Sequence, residues 1–561
     1  MPDLLHIVKS KLRRSLDFSF DWKTASLVKH ASSILVFGGF AVAAYFFTRM
    51  TVDYLLDTER LGLFLLHRYV SMLLFVFFLS INVGNVIVSF ATFYRSPEMI
   101  FYLTKPVSHT NIFILKFVDN FFYSSTALLL IAVAVLAGYG THFHEPWTFY
   151  VQTMVFGLLP FMLLSACVAV TLLLLLMRFA DVVGLQRIVG ILVLLYLGAL
   201  YGYFSLTNPV RLQARVMQFY PHLDQYFGYL DPPIAKFLPN QWLAESLYWT
   251  MRGEVSYALS YTLLLLGATG VMVMIMVFVA RKYFYAGWLA SLNVRIAGEP
   301  SLPLLRRFSL TRPARLDPQT SVLLKKEFWQ FVREPSQWIH LGIISILVVT
   351  FVASIAQVDL NQTVPFLQTV SYIVVFLFNA FLVASVALRF VYPGISIEGV
   401  NFWSVLSAPL NSRKVFWLKY VTAFVPTFAI SEALVLFSHR TLAHYSILVP
   451  VALLVMLCVT IALVSLNLGA GSYFTNFKEK NPIRVASSQS ATVTFLISIL
   501  YISVVVGLLF IPYNKYFESV LRGDSFSVAG LYVAVSGIAF VSLSTAVVML
   551  SVGMNALRRD F

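Results

Sequence analysis

Charged side chains inside long apolar runs are the first places where this sequence could do chemistry. Lys116 and Asp119 lie one turn apart near the start of one run, Arg389 lies near the end of another, and Glu432 lies within a third with no basic residue close to it. Groups of this kind at membrane depth face a bundle interior or a wet cavity, or they pair with one another. Lys116 and Asp119 can pair at i, i+3, and Lys116 and Arg389 can reach the surface along their apolar stems. Asp119 and Glu432 are thus the candidate intramembrane polar sites, and Glu432 has no such local explanation. Asn82 and Asn85 read as hydrogen-bonding groups between helices.

The usual catalytic patterns do not occur. There is no GxxxxGK[ST], so ATP cannot be bound in that way, and there is no GxSxG, HExxH or paired CxxC. His142 and His144, on a loop, come nearest to metal-ligand spacing. Cys167 and Cys458, the two cysteines, sit in apolar runs and read as packing. No catalytic, cofactor-binding or metal-binding residue is expected.

The elements that must carry these groups are membrane helices. The chain of 561 residues is 59% hydrophobic and 12% charged, with a mean hydropathy of +0.81. Apolar runs of 18 or more residues, each long enough to span a bilayer core, are expected at about 32–50, 70–94, 112–137, 149–178, 187–207, 257–280, 339–357, 367–393, 415–437, 446–471, 491–512 and 528–551. The fold class is all-α, a polytopic membrane protein of about twelve spans. The net charge of +15 reads as positive-inside bias and not as a nucleic-acid surface. Most Lys and Arg fall in one set of loops, which places those loops and both termini in the cytoplasm.

One stretch occurs twice in that set. Glu98-Met-Ile-Phe-Tyr-Leu-Thr-Lys-Pro106 leads into the third run, and Asn401-Phe-Trp-Ser-Val-Leu-Ser-Ala-Pro409 leads into the ninth. One constant shift pairs Met99 with Phe402, Ile100 with Trp403, Leu103 with Leu406, Pro106 with Pro409 and Lys116 with Lys419. The apolar positions share one face of a short helix, and the proline ends it. Two such surface helices, one per half, suit docking of a cytoplasmic partner. Residues 1–30 read as an amphipathic helix at the membrane surface. The stretch Leu323–Pro335 reads as its counterpart, with Leu324, Phe328, Phe331 and Val332 on one face. Leu238–Trp249 reads as a short interfacial helix on the outer side. The expected domains are a first six-span repeat (1–290), a cytoplasmic linker (291–322) and a second six-span repeat (323–561), arranged as a parallel repeat with a path between the halves.

At these residues the sequence resembles the permease subunits of ABC-2-type transporters. The loop glutamate, apolar pair, leucine and proline of that family correspond to Glu98, Met99/Ile100, Leu103 and Pro106, and again to Glu398, Phe402/Trp403, Leu406 and Pro409. The family's lysine at the start of the next span corresponds to Lys116 and Lys419. Glu398 stands three residues farther from its proline than Glu98 does. Glu327, Arg333 and Pro335 look like the family's connecting helix, Leu238-Pro-Asn-Gln-Trp242 like its outer re-entrant segment, and Phe474–Pro482 like a loop of long permeases. The resemblance implies two fused permease units in the bacterial cytoplasmic membrane. It implies an exporter that is not itself an enzyme and binds no cofactor. Two cytoplasmic ABC ATPase subunits would carry the ATP and Mg and dock under the two short helices. The alternative is a twelve-span transporter driven by an ion gradient, for which Asp119 and Glu432 are the available titrating groups. A membrane enzyme or scaffold finds no polar constellation to support it. The transported substrate is not legible.

Overall fold

A computed structural model describes residues 24–58, 62–207, 212, 231–297, 317–332, 337, 341–342, 344–345, 348, 365–408, 410–439, 447–477, 479, 482–522 and 528–557. Among them the regular structure is helical and there is no strand. Eleven helices are long and apolar enough to cross a membrane. The chain is a multi-pass, all-α membrane protein. The span expected at 339–357 falls mostly outside the described residues, as does most of the N-terminal surface helix expected at 1–30.

The chain divides into two compact units, one containing Ile34–Pro300 and the other Ser301–Phe561. In the first unit the crossing helices are α1 (Ile34–Leu56), α2 (Gly62–Tyr94), α4 (His109–His142), α5 (Trp147–Met177), α6 (Gly190–Thr207) and α8 (Val255–Leu292). The short helices α3 (Pro97–Leu103) and α7 (Pro239–Met251) lie between α2 and α4 and between α6 and α8. In the second unit α9 (Pro318–Val332) comes first and α11 (Phe402–Leu406) is the short helix. Its crossing helices are α10 (Gln368–Gly399), α12 (Ser412–His439), α13 (Leu448–Tyr473), α14 (Gln489–Val520) and α15 (Ala529–Ala556).

Each unit packs around one nearly all-apolar helix. In the first it is α5, with Met162, Ala166, Val170, Leu174 and Met177 fully buried. In the second it is α13, with Val455, Val459, Leu463 and Leu466 fully buried. A helix apolar on every side is the one that can be surrounded, whereas α1, exposed along Ile34, Leu35, Phe46 and Phe47, presents its side chains to lipid. Where α13 meets α15 the crossing is close because both helices offer glycine. A Cβ on Gly469 would overlap the Met549 carbonyl, and one on Gly553 would come 2.9 Å from the Gly469 Cα. Small residues at a membrane crossing let backbones approach and gain dispersion contacts that lipid cannot replace.

Helix α2 starts two turns earlier than its hydropathy indicates. His67 and Arg68 suggest a surface, yet both are buried. His67 Nδ1 lies 2.8 Å from the Leu63 carbonyl and its Nε2 lies 2.6 Å from the Tyr139 hydroxyl. A carbonyl only accepts, so Nδ1 carries the proton and Tyr139 donates to Nε2.

Candidate functional site

The first short helix is specified locally. The Glu98 amide donates to Ser96 Oγ at 3.3 Å and Pro97 occupies the first turn, the favoured N-cap and N1 chemistry. The Thr104 hydroxyl closes the other end on the Phe101 carbonyl at 2.8 Å. Met99 is fully buried in the unit's core, and Leu103 packs at its edge. Ile100 is 52% exposed and Phe101 59%, so the apolar pair divides, one residue anchoring the helix and the next facing out. Pro106 is exposed. Lys116 Nζ on α4 donates to Glu98 Oε2 at 2.7 Å and lies 4.8 Å from the Tyr102 ring. Lys116 is buried, so it fastens α3 to α4 from within and does not extend to the surface.

The second unit repeats this plan with more charge. Lys419 Nζ on α12 donates to Glu327 Oε1 on α9 at 2.8 Å and to the Gly394 carbonyl at 3.2 Å. It also lies 2.7 Å from Glu398 Oε1, the oxygen that accepts from Lys326 Nζ at 2.5 Å. Two ammonium groups and two carboxylates thus alternate, and α9, the end of α10 and α12 meet on them. The three additional residues before Pro409 are absorbed by a 3₁₀ stretch, Ser396–Asn401, in which Gly399 has φ 65°. Glycine takes that left-handed conformation without steric cost, which lets Glu398 turn back to Lys419 as Glu98 does to Lys116. Phe402 is buried and stacked on Phe477 at 5.5 Å, and the Asn476 amide donates to Ser396 Oγ at 3.1 Å. Trp403 is 66% exposed. The division of Met99 and Ile100 between core and surface recurs in Phe402 and Trp403. Lys414, at the start of α12, reaches Asp317, just before α9, and Gln319 in its first turn. Arg333, Pro335, Pro409 and the Leu406 side chain lie outside the described residues.

At the opposite end of the first unit is a cluster that sequence reasoning missed. Arg68 Nη2 lies 2.6 Å from Asp231 Oδ2 and 2.7 Å from Glu245 Oε1. Trp249 Nε1 donates to Glu245 Oε2 at 3.0 Å and Gln241 Nε2 to Glu245 Oε1 at 3.3 Å. Asn240 Nδ2 donates to Ser71 Oγ and to the Tyr203 hydroxyl, both at 3.0 Å. Helix α7, expected at an interface, is therefore docked by buried polar residues. Burial pushes the Asp231 carboxyl up from 3.8 to about 6, against the attraction of Arg68 and with the repulsion of Glu245. No local pattern announces this cluster, because its members join through tertiary contact only.

The remaining candidates have separate surroundings. Asp119 is half-buried on α4. Glu432 is half-buried on α12, with a buried Oε1 that meets no hydrogen-bond partner among the described residues. Asn82 Nδ2 donates to the Ser165 carbonyl on α5 at 2.9 Å, and Tyr196 of α6 donates to its Oδ1. Asn85, by contrast, bonds within its own helix. Arg389 is half-buried. His142 Nδ1 lies 2.5 Å from Asp53 Oδ1. Among the described residues no group of His, Cys, Asp and Glu is arranged to hold a metal.

In each unit an ion pair from a membrane helix, Lys116–Glu98 in the first and Lys419–Glu398 in the second, fastens the stretch that carries the short helix. Comparison with known families then decides the assignment. The family described as "Putative ATP-binding cassette" matches residues 25–560. The chain belongs to this family. No curated protein and no solved structure matches the chain.

Membership of the ATP-binding cassette family overturns the ABC-2 permease resemblance. With it go a permease subunit served by separate ATPases, a chain that is no enzyme, and ATP and Mg held only by a partner. The physical reason for the error lies in the motif. A glutamate, an apolar pair, a leucine and a proline before a membrane helix are what any short amphipathic helix at a bilayer surface needs. They identify the element and not the family. What survives is coarser: an ABC transporter family protein with many membrane-spanning helices.

Proposed function

We propose that this chain is a membrane-embedded ATP-binding cassette protein that uses ATP to drive movement of a substrate across the bilayer. The family match over 25–560 carries the reading, and eleven helices of membrane-spanning length give it a membrane setting. ATP-linked motion enters each unit through its own short helices, α3 in the first and α9 and α11 in the second. In the first unit the exposed Ile100 and Phe101 are fastened by Met99 and the Lys116–Glu98 pair to α4, and in the second the exposed Trp403 is fastened by Phe402 and the Lys419–Glu398 pair to α12, so displacement there moves whole membrane helices. The concentration of Lys and Arg in the loops that carry these helices supports a cytoplasmic orientation for them and for both termini, and we take the membrane to be a bacterial cytoplasmic one. Basic residues beside them, Lys105 in the first unit and Lys325, Arg413 and Lys414 in the second, give each a local potential that attracts phosphate. The sequence has no GxxxxGK[ST] and the described residues contain no strand, so nucleotide bound by this chain would be met by such side chains and not by a strand–loop–helix cradle.

The test is photolabelling of the purified full chain in lipid nanodiscs with an azido-ATP and Mg, followed by peptide mapping and by ATP-dependent transport in vesicles. The expected result is labelling that ATP competes away and that maps to the loops carrying α3, α9 or α11, together with ATP hydrolysis. Absence of labelling and hydrolysis in the purified chain, with both appearing only when another polypeptide is added, would overturn it.

A further inference from the structure

Helix α12 carries an aromatic ladder that ends on a carboxylate. Tyr420 and Phe424 stack with centroids 5.8 Å apart and planes 9° apart, and Phe424 and Phe428 stack at 5.6 Å and 15°. Trp417 meets Tyr420 edge-on at 5.6 Å. The next residue on this four-residue spacing is Glu432, one helical turn beyond Phe428. The ladder runs along the edge of the second unit's core. Beside it Trp417, Val421, Val425 and Leu436 are exposed. Glu432 has no ion pair among the described residues, and its Oε1 is buried without a hydrogen-bond partner.

A carboxylate at membrane depth is costly unless a cation or a donor meets it. Aromatic faces attract cations through their quadrupole, more strongly where water is excluded. An inorganic divalent ion would need six or more oxygen ligands, and the ladder supplies one carboxylate. A lipophilic organic cation matches every element: its charge meets Glu432, its positive edge lies on the outer face of Phe428, which Phe424 and Tyr420 back by stacking, and its apolar groups replace lipid along Val425 and Leu436. The repeat shift places Phe117, Phe121, Ser125 and Leu129 at the corresponding positions of α4. There Phe117 and Phe121 are buried in the core and there is no carboxylate, so the feature belongs to the second unit alone.

We propose that Glu432 and the Tyr420–Phe424–Phe428 ladder form a binding site for amphiphilic organic cations drawn from the bilayer. The site names a substrate class for the ATP-driven reading above and rests on that reading only for transport. Binding is therefore measured without nucleotide, so a failed site and a failed ATP assignment give different results. The probe is radiolabelled tetraphenylphosphonium added to the full chain in an uncharged maltoside detergent, with the neutral isostere tetraphenylsilane as competitor. Saturable binding is expected, unaffected by the silane. Glu432→Gln should weaken it at least tenfold, Phe428→Leu about threefold to tenfold, and Glu432→Asp by less than about threefold. Thermal unfolding of each variant identifies any that fail to fold; if Glu432→Gln does, Phe428→Leu and Phe424→Leu decide. Adding phosphatidylethanolamine separates two sources of the ligand. Competition assigns the site to a lipid ammonium group, and no competition assigns it to a free amphiphile. Unchanged binding in Glu432→Gln, or equal competition by the silane, would overturn the proposal.

Discussion

Lys419 and Glu398 lie 2.7 Å apart with side chains 4% and 6% exposed, while the corresponding pair, Lys116 and Glu98, joins a buried ammonium to a carboxylate that is 54% exposed. The two contacts have the same length and different energetic consequences. Removing one member of a buried pair strands the other charge in a poorly hydrated place, whereas an exposed carboxylate returns to water. Lys419→Met should cost about 3–5 kcal/mol and Lys116→Met about 1 kcal/mol or less. Thermal unfolding in mild detergent measures both. Adding Glu398→Gln to Lys419→Met should restore part of the loss, since Lys326 is then left facing one carboxylate, Glu327, and not two. Equal destabilisation by the two single variants would contradict this account.

The short helices predict a separation of stability from activity. Met99→Ala empties a fully buried position and should cost about 2–5 kcal/mol, whereas Ile100→Ala, on the exposed side, should stay within about 0.5 kcal/mol. On the proposed function, Ile100→Asp and Trp403→Asp should leave the melting temperature unchanged and lower ATP-dependent transport at least tenfold. Full transport by both would remove the role assigned to these faces.

The crossing of α13 and α15 depends on the absence of side chains. Gly469→Ala places a methyl against the Met549 carbonyl, and backbone cannot yield as a flexible side chain can. The helices must part, at about 1–3 kcal/mol or more. Gly507→Ala on α14 is the control, because nothing lies within 4 Å of its added carbon. It should be neutral or should stabilise by up to about 1 kcal/mol, since alanine favours helix over glycine. Melting curves that rank these two the other way would exclude a close-packed crossing.

The cluster around Arg68 predicts a pH dependence. The Asp231 carboxyl titrates near 6 in the fold and near 3.8 in the unfolded chain. Below pH 4 both states hold the proton, and the stabilisation of the protonated fold is complete. As pH rises toward 6 the unfolded chain has released its proton and the fold has not, so stability falls, and it levels off above 6. The decline should be on the order of 2–3 kcal/mol. Asp231→Asn should flatten it, as read from melting temperature between pH 4 and pH 7. A slope that Asp231→Asn leaves unchanged would place the titrating group elsewhere.

Hydropathy alone was sufficient for the membrane class and for most spans, because crossing a bilayer demands a length and an apolarity that any sequence must display openly. The recurrence of Glu98–Pro106 as Asn401–Pro409 was equally plain, since a surface helix stopped by proline is written in neighbouring residues. What those helices hold on to was not. Glu98 meets Lys116, Glu398 meets Lys419 and Lys326, and Arg68 meets Glu245 across 177 residues only after the chain has folded. The early start of α2 at Gly62 belongs here too: His67 and Arg68 read as polar until Tyr139, Asp231 and Glu245 surround them. The division of Met99 from Ile100 and of Phe402 from Trp403 between core and surface was also a matter of packing, because adjacent apolar residues look alike until one finds a neighbour. Periodicity records which residues can leave water; only the tertiary structure decides which partners they leave it for.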